Sequence, residues 1–453
     1  MIWKKIWKKI MGSGHERTIK AKKNVLISVL FKGLGVLIGF AYFPISLSYL
    51  SPANFGIFLT LTSMIDWFAE LDIGIGNGLR NRVGEAVAKG DDESVKGYVS
   101  TAYVVLGSIF ASVSILFIIA SYFVPWSAVL QADPSMNYDI MVLAILMFGA
   151  FAIRFISSLV YQMLYALQQM AWVEFFSFLT KISFLIVIIG LVYFTDESLI
   201  LFGVAKTMTF ALVPFFVGLL YFSRSFKKYT PSFSHVKRKY FNGLFSIGIQ
   251  FFIIELSMLV IFQTNNFLIA RLVALEEVPI YEAANKYMSV FILLFVILSN
   301  QLWAANVEAF SKGEISWVRN TMKNVQKIWF GTVGIMTLMI MVSPWVYWLW
   351  LKETISIPLI LTIAVAVSIA LTNWINMFNI VLNGAGKVRL QMYGWIFASV
   401  MNIPCSIFFS QHLGYGTIGI VLGTIVCMIP LLIITPLQVN RILDGTDKGI
   451  WAK

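Results

Sequence analysis

The chain has 453 residues, of which 59% are hydrophobic and only 12% are charged, and its mean hydropathy is +0.82. Soluble domains carry about 25% charged residues, so this composition excludes an ordinary soluble protein and leaves no room for a large catalytic domain. The formal net charge is +12, and in so apolar a chain we expect the basic excess in loops on one side of a membrane rather than in a nucleic-acid-binding surface.

The first predicted element is a basic segment, residues 1–23. In its first ten residues, MIWKKIWKKI, Ile and Trp recur at helical spacing while four lysines occupy the opposite face. This pattern is typical of an amphipathic helix on an anionic lipid surface, and a disordered basic tail is the alternative. The segment lacks the uninterrupted apolar stretch of a cleavable signal peptide.

Apolar runs of about 20 residues follow along the rest of the chain, which is the length that a membrane helix requires. The predicted fold is an all-α integral membrane protein with about twelve transmembrane helices. They are predicted to begin near Asn24, Phe55, Tyr98, Ile140, Trp172, Leu199, Gly243, Tyr281, Val325, Ser356, Gln391 and Tyr415.

The loops between these spans differ strongly in charge. Of the 34 Lys and Arg residues, 27 fall in loops on the side of the N-terminus, and only Arg271 and Lys352 fall on the other side. Because basic loops stay in the cytoplasm, both termini are predicted to be cytoplasmic.

A basic segment at residues 223–240 divides the chain into two sets of six spans. We expect six-helix bundles at residues 24–222 and 241–440, followed by a cytoplasmic tail at 441–453. Shifting the second half back by 223 positions places residues 54–58 (NFGIF) over 277–281 (EVPIY). Two halves that start on the same side imply a parallel repeat with a central cavity between the bundles.

Ionisable side chains within membrane spans are costly, at about 2.5–3.5 kcal/mol each, and indicate a partner or a water-filled cavity. Four of the five basic ones fall in the first half. If they face the cavity, they favour an anionic ligand such as a phosphate or pyrophosphate. The basic residues are Lys32, Arg154, Lys181, Lys206 and Lys286, and the acidic ones are Asp66, Glu70, Asp72, Glu174 and Glu255.

Several of these residues have a structural alternative. Lys32 shares a helical stripe with Ser28, Gly35 and Gly39, which predicts either a cavity or a tight helix contact. Asp66 and Glu70, one turn apart, are either a proton-coupling pair or partners of a cation.

In the later spans, Glu174 and Lys181 share a helix face about 10 Å apart along the axis. Lys206 and Lys286 either line the cavity or extend to the membrane interface. Arg154 is deeper, and its permanent charge implies water or an anion beside it.

The repeat makes one further prediction. The shift of 223 places Glu255 at the position equivalent to Lys32, so the two are predicted to face each other across the cavity and to pair in one transport state. Coincidence is the alternative.

Enzymatic chemistry finds no support in the sequence. The three histidines, His15, His235 and His412, are far apart, and Cys405 and Cys427 lie inside apolar runs. We therefore expect neither an enzyme, nor a metal site, nor a cofactor.

Residues 71–82 (LDIGIGNGLRNR) and 83–91 (VGEAVAKGD), with the preceding residues 50–58 (LSPANFGIF), form a local signature. It resembles the corresponding region of Wzx-type O-antigen and polysaccharide flippases in the multidrug/oligosaccharidyl-lipid/polysaccharide (MOP) exporter superfamily. The family-like residues are Asp72, Gly74, Gly76, Asn77, Gly78 and Arg80.

This resemblance implies two parallel six-helix bundles that move undecaprenyl-pyrophosphate-linked oligosaccharide across the bacterial inner membrane by alternating access. It further implies coupling to H⁺ or Na⁺ through a carboxylate. The expected partners are the lipid-linked glycan, the bilayer, and the polysaccharide polymerase and chain-length machinery, without nucleic acid. Alternatives are a cation-coupled multidrug exporter of the same superfamily, which should have a carboxylate-dominated cavity, and a membrane polysaccharide polymerase, which should have a large outer loop.

Overall fold

A computed structural model describes residues 16–68, 74–167, 169–244, 249–293, 295, 302–303, 306, 309–310, 312–352 and 354–452. The predicted amphipathic helix in residues 1–10 lies outside this part of the chain. The regular secondary structure of the described residues is helical. In chain order the α-helices are α1 Glu16–Tyr49, α2 Pro52–Asp66, α3 Ile75–Ala88, α4 Asp92–Ser121, α5 Trp126–Leu130, α6 Asn137–Ser157, α7 Leu159–Ala166, α8 Met170–Phe194, α9 Leu199–Ser223, α10 Arg238–Leu244, α11 Ile249–Leu272, α12 Glu277–Met288, α13 Ile315–Leu351, α14 Leu359–Ala385, α15 Arg389–Ile407 and α16 Gly416–Leu443.

The described residues contain ten helical stretches that are long and apolar enough to cross a membrane. They correspond to ten of the twelve predicted spans, so the prediction of an all-helical, multi-pass membrane protein is confirmed. The spans predicted near Phe55 and Tyr281 begin with α2, which has 15 residues, and α12, which has 12. Among the described residues, α2 is followed by a 3₁₀ turn at residues 67–68, and α12 by a turn at Ser289, after which residues 290–293 and 295 are again helical. Neither helix alone has the roughly 20 residues needed to cross a bilayer.

Local sequence explains where α2 and α3 begin. The Ser51 side chain accepts a hydrogen bond from the backbone N–H of Asn54 at 3.4 Å, and Pro52 occupies the first helical position. Both features favour a helix start. Gly74 precedes α3 with φ of 79°, a left-handed conformation that glycine adopts without steric cost.

Two pairs of helix ends are separated by the shift of 223 positions that the sequence indicated. Helix α1 ends at Tyr49 and α11 at Leu272, while α4 begins at Asp92 and α13 at Ile315. Both comparisons give a shift of 223 positions. Two pairs of helix ends thus share this shift, while the division into two repeated six-helix halves stays a prediction.

The chain forms two compact units. The first comprises Met1–Leu50, Phe68–Trp126 and Pro134–Ile247, and the second comprises Ser51–Trp67, Ser127–Asp133 and Gly248–Lys453. In the first unit α1 packs along α8 and α6 packs along α9. In the second, α16 packs against α14 and α15, and α2 packs against α11 and α12.

Candidate functional site

The packing of α1 along α8 forms the base of the candidate site in the first unit. The Phe31 and Phe175 rings lie 5.2 Å apart, and further along both helices the Tyr49 hydroxyl lies 2.9 Å from the Thr195 hydroxyl. These contacts advance together along the two helices, so α1 and α8 run in the same direction.

Lys32, Glu174 and Lys181 lie along this helix pair, close enough for their charges to influence one another. Glu174 interacts electrostatically with Lys32 on α1 and with Lys181 on its own helix. All three side chains are partly buried. The Lys181 ammonium lies 3.1 Å from the position that a Cβ atom on Gly35 would occupy. The small-residue stripe of α1 thus forms a close helix contact that accommodates Lys181, and it brings a carboxylate near Lys32.

Lys206 on α9 lies next to the same helix pair. Its ammonium group is 5.5 Å from the centre of the Tyr42 ring and 5.8 Å from that of the Phe184 ring. These two rings meet edge to face at 5.4 Å. Phe184 is three residues from Lys181 on α8, and residues at this spacing are neighbours on a helix surface. Aromatic faces attract a desolvated ammonium by about 2 kcal/mol, so the two rings stabilise the Lys206 charge at this position.

We call Lys32, Glu174, Lys181 and Lys206 the charged cluster. It joins three of the five predicted cations and one predicted carboxylate on α1, α8 and α9. With all four groups ionised, the cluster carries a net positive charge. An anion that approached these ammonium groups would receive charge-assisted hydrogen bonds.

Arg154 lies on another helix of the first unit, in the last turn of α6. Its guanidinium group is 5.2 Å from the centre of the Phe151 ring. A cation in the last turn of a helix also interacts favourably with the helix dipole. The Phe151 ring and the helix dipole therefore both stabilise the Arg154 charge at this position.

The remaining predicted site residues fall into two groups. Asp66 is the last residue of α2, Lys286 lies in the last turn of α12, and Glu255 is exposed on α11, all within the second unit. The predicted pairing of Lys32 with Glu255 would join the two units and stays a prediction. Glu70 and Asp72 lie outside the described residues.

The family-like residues form a second feature of the first unit, on and before α3. A Cβ atom on Gly78 would lie 2.0 Å from the carbonyl oxygen of Leu244, at the end of α10. Beside it, Arg82 donates a hydrogen bond of 3.0 Å from Nε to the carbonyl oxygen of Gly243. The Arg80 guanidinium lies 5.1 Å from the centre of the Tyr165 ring. Gly76 is buried, and Asn77 lies in the first turn of α3. The motif therefore acts at least partly as a docking surface for α10.

The basic segment 223–240, predicted as a linker, is anchored on the first unit. The Lys228 ammonium donates to the Asp92 carboxylate at 2.7 Å, and this hydrogen bond raises the pKa of Lys228 above its ordinary value. Lys237 donates to Glu93 at 3.1 Å. The backbone N–H of Ser232 donates to the hydroxyl of Ser100 at 3.0 Å. These contacts fasten the segment to α4 before α10 begins.

Sequence reasoning missed a polar contact in the second unit. The buried amide of Asn266 on α11 donates to the Ser63 hydroxyl on α2 and to the Glu282 carboxylate on α12, both at 2.7 Å. It thereby links both short helices to α11. Two signals in the sequence pointed to it: the consecutive amides Asn265 and Asn266 interrupt an apolar run, and Glu282 lies one helical turn before Lys286.

In the described part of the chain, no group of three or more His, Cys, Asp or Glu side chains is arranged to hold a metal ion. Cys405 and Cys427 are free thiols.

Comparison with known proteins identifies similar sequences and folds. The sequence profile of the family described as "Polysaccharide biosynthesis protein" matches residues 21–304. A Salmonella typhi protein whose name assigns it to O-antigen transport is 22% identical over 405 residues, covering 84% of this chain and 86% of that protein. A protein of the same name from Salmonella typhimurium strain LT2 is 23% identical over 271 residues, covering 57% of this chain and 58% of that protein.

Among solved structures, the chain is similar to an inward-facing multidrug resistance MATE family transporter of the MOP superfamily. The TM-score is 0.75 with 14% sequence identity, and the similarity covers 93% of this chain and 99% of the transporter. At this level of identity, the similarity establishes a shared fold.

Proposed function

The chain belongs to the polysaccharide biosynthesis protein family, and from this premise we propose that it is a flippase for undecaprenyl-pyrophosphate-linked oligosaccharide. The family assignment confirms the resemblance noted from residues 50–91, and the chain is a transporter of the MOP superfamily rather than an enzyme. In our proposal it moves the repeat unit of O-antigen or another surface polysaccharide from the cytoplasmic to the outer leaflet of the bacterial inner membrane.

The charged cluster is the observation that carries this proposal. Lys32, Lys181 and Lys206 lie on three neighbouring membrane helices, with Glu174 as the carboxylate among them. Cations in membrane helices are costly, and the excess positive charge is best offset by an anionic ligand. A pyrophosphate group bears the charge and the acceptor oxygens that ammonium groups bind.

The short helices α2 and α12 support alternating access. Short or interrupted membrane helices at corresponding positions of two repeats mark the substrate and ion sites of many transporters. Here they are the second elements of the two halves, and each lies within one of the twelve spans that we propose. These spans would form two parallel six-helix bundles, at residues 24–222 and 241–440, with both termini in the cytoplasm.

A proton or sodium gradient is the proposed driving force. Asp66, Glu70, Glu174 and Glu255 are the candidate coupling carboxylates, and of these Glu174 has cationic neighbours in the charged cluster. We propose no cofactor. Polysaccharide polymerase and chain-length proteins, which would receive the flipped glycan, are the proposed protein partners.

A multidrug exporter of the same superfamily is the alternative, because the fold is shared with such a protein. An exporter of organic cations is expected to present carboxylates, whereas the charged cluster has three cations to one carboxylate. The positive cluster therefore favours the flippase.

Deletion of the gene in the source bacterium tests the proposal. We expect surface polysaccharide to be lost and lipid-linked repeat units to accumulate on the cytoplasmic side, with recovery on expression of the wild-type chain. Lys32→Ala and Arg154→Ala should complement poorly at normal protein levels. Unchanged polysaccharide together with drug hypersensitivity would instead identify an exporter.

A further inference from the structure

The second unit contains a cavity, lined by both polar and apolar side chains, that the proposed function has not used. Its volume is about 250 Å³, and it is enclosed by α11, α12, α14 and α16. The polar residues that line it are Asn265, Tyr281, Asn285, Ser368, Thr372 and Asn376.

The lining combines uncharged polar groups with apolar surface. The polar groups are side-chain amides and hydroxyls, and no Lys, Arg, Asp or Glu is among the described residues that line the cavity. The larger part of the lining surface is apolar and comes from Met258, Phe262, Ile292, Val365, Ile369 and Val421. Amides and hydroxyls both donate and accept hydrogen bonds without formal charge. This combination suits a neutral ligand that carries many hydroxyl groups, and it offers no counter-charge to a bare anion.

Part of the lining is held in place by further hydrogen bonds. The Asn265 amide, 3% exposed, donates to the Tyr281 hydroxyl at 3.1 Å and accepts from the Thr424 hydroxyl at 3.4 Å. The Thr372 hydroxyl donates to the carbonyl oxygen of Ser368 at 2.8 Å. These side chains are therefore oriented before a ligand arrives, which lowers the entropic cost of binding.

Asn285 and Asn376 are placed differently. Both line the cavity and both are only partly buried, on α12 and α14 respectively. Their amides can therefore exchange hydrogen bonds to water for hydrogen bonds to a ligand. Asn285 also lies on the short helix α12, which is linked to α11 through Asn266 and Glu282.

We infer that this cavity binds the uncharged, hydroxyl-rich sugar portion of the transported substrate, an inference that rests on the proposed flippase function. The cavity recognises neutral sugar residues, whereas the charged cluster of the first unit binds the pyrophosphate. The two sites thus divide the recognition of one amphiphilic substrate by chemical type.

The test measures binding of two probes to the purified full-length chain in detergent. One probe is the oligosaccharide repeat unit released from the polysaccharide of the source bacterium, and the other is undecaprenyl pyrophosphate without sugar. We expect Asn285→Leu and Asn376→Leu each to weaken oligosaccharide binding by about tenfold, as loss of hydrogen bonds to a neutral ligand requires. Binding of undecaprenyl pyrophosphate should stay unchanged in both variants.

Asn383→Leu is the matched control, because Asn383 lies two turns further along α14 and is not among the residues that line the cavity. It should bind both probes as the wild type does, and thermal unfolding of all three variants verifies that they are folded. Wild-type oligosaccharide affinity in both folded cavity variants would overturn the inference. Binding of undecaprenyl pyrophosphate without any binding of the oligosaccharide would overturn it while leaving the flippase proposal intact. Failure of the wild type to bind either probe would overturn both.

Discussion

The ammonium group of Lys181 lies 3.1 Å from the position that a Cβ atom on Gly35 would occupy. A cation on α8 therefore fits over a residue of α1 that has no side chain. The Lys181 position depends on this glycine, because any larger residue on that face of α1 would push the ammonium group aside. The geometry of the charged cluster can thus be altered without changing its charge.

Gly35→Leu should therefore impair transport. The added side chain would overlap with Lys181, and overpacking of this kind costs about 1–3 kcal/mol. We expect complementation of surface polysaccharide in a deletion strain to fall by about tenfold at matched membrane levels. Gly33→Leu is the control on the same helix, since nothing lies within 4 Å of a Cβ atom there. Equal complementation by the two variants would show that the position of Lys181 is unimportant.

Lys32 and Glu174 should be energetically coupled across α1 and α8. Lys32→Gln and Glu174→Gln each remove one charge, and the single variants should both lower thermal stability in detergent. Lys32→Gln removes one of the two cations near Glu174, and Glu174→Gln removes the carboxylate near Lys32. The double variant should therefore be more stable than the sum of the two effects predicts. We expect a coupling energy of about 0.5–3 kcal/mol from this double-mutant cycle. Additivity would indicate that the two charges do not interact.

Gly78→Ala should destabilise the chain, because the steric overlap of the new Cβ atom costs more than alanine's higher helix propensity contributes. The new Cβ atom would lie 2.0 Å from the backbone oxygen of Leu244, which cannot move without displacing α10. Gly84→Ala is the control on α3, where the nearest atom is 3.8 Å away and alanine should stabilise the helix by about 0.5–1 kcal/mol. Thermal unfolding and membrane yield compare the two variants. Similar stability of both would argue against docking of α10 on the motif.

The anchoring of residues 223–240 should weaken at high pH. The pKa of Lys228 is raised from 10.5 by its hydrogen bond to Asp92, so its contribution is present below pH 10.5 and is lost as the pH rises through the raised value. Cleavage at Phe233, which is 85% exposed, by an alkaline-stable protease should accelerate as the pH rises above about 10.5. Asp92→Asn should be cleaved faster at the lower pH and should show little further increase. The same pH dependence of cleavage in the wild type and in Asp92→Asn would contradict a role for the Lys228–Asp92 pair in anchoring this segment.

Much of the fold could be predicted from the sequence, because the length and hydropathy of an apolar run are enough to identify a membrane span. The repeat was also visible as the shift of 223, although few residues match. The short helices α2 and α12 were not foreseen. An average over 20 residues does not detect the turn at Ser289, since helical residues lie on both sides of it and residues 290–295 (VFILLF) are as apolar as those of a continuous span.

The site was predicted less completely than the fold. Lys32, Lys181 and Lys206 could each be identified from the sequence, because a charged side chain within a membrane span is costly and indicates a partner or a cavity. Which of them meet depends on the packing of α1, α8 and α9, which are distant in sequence. The contact between Gly78 and Leu244 is likewise non-local, so the family-like motif could be recognised without its docking role.

The most direct test of the flippase proposal is translocation in proteoliposomes that contain the purified chain and undecaprenyl-pyrophosphate-linked oligosaccharide. Access of a membrane-impermeant glycan-modifying reagent to the lipid-linked sugar measures its transfer between leaflets. We predict rapid transfer by the wild type, substantial transfer by Lys181→Arg, which keeps the charge, and at least about tenfold slower transfer by Lys181→Gln. Transfer no faster than in protein-free liposomes, or equal rates for Lys181→Gln and the wild type, would contradict the account.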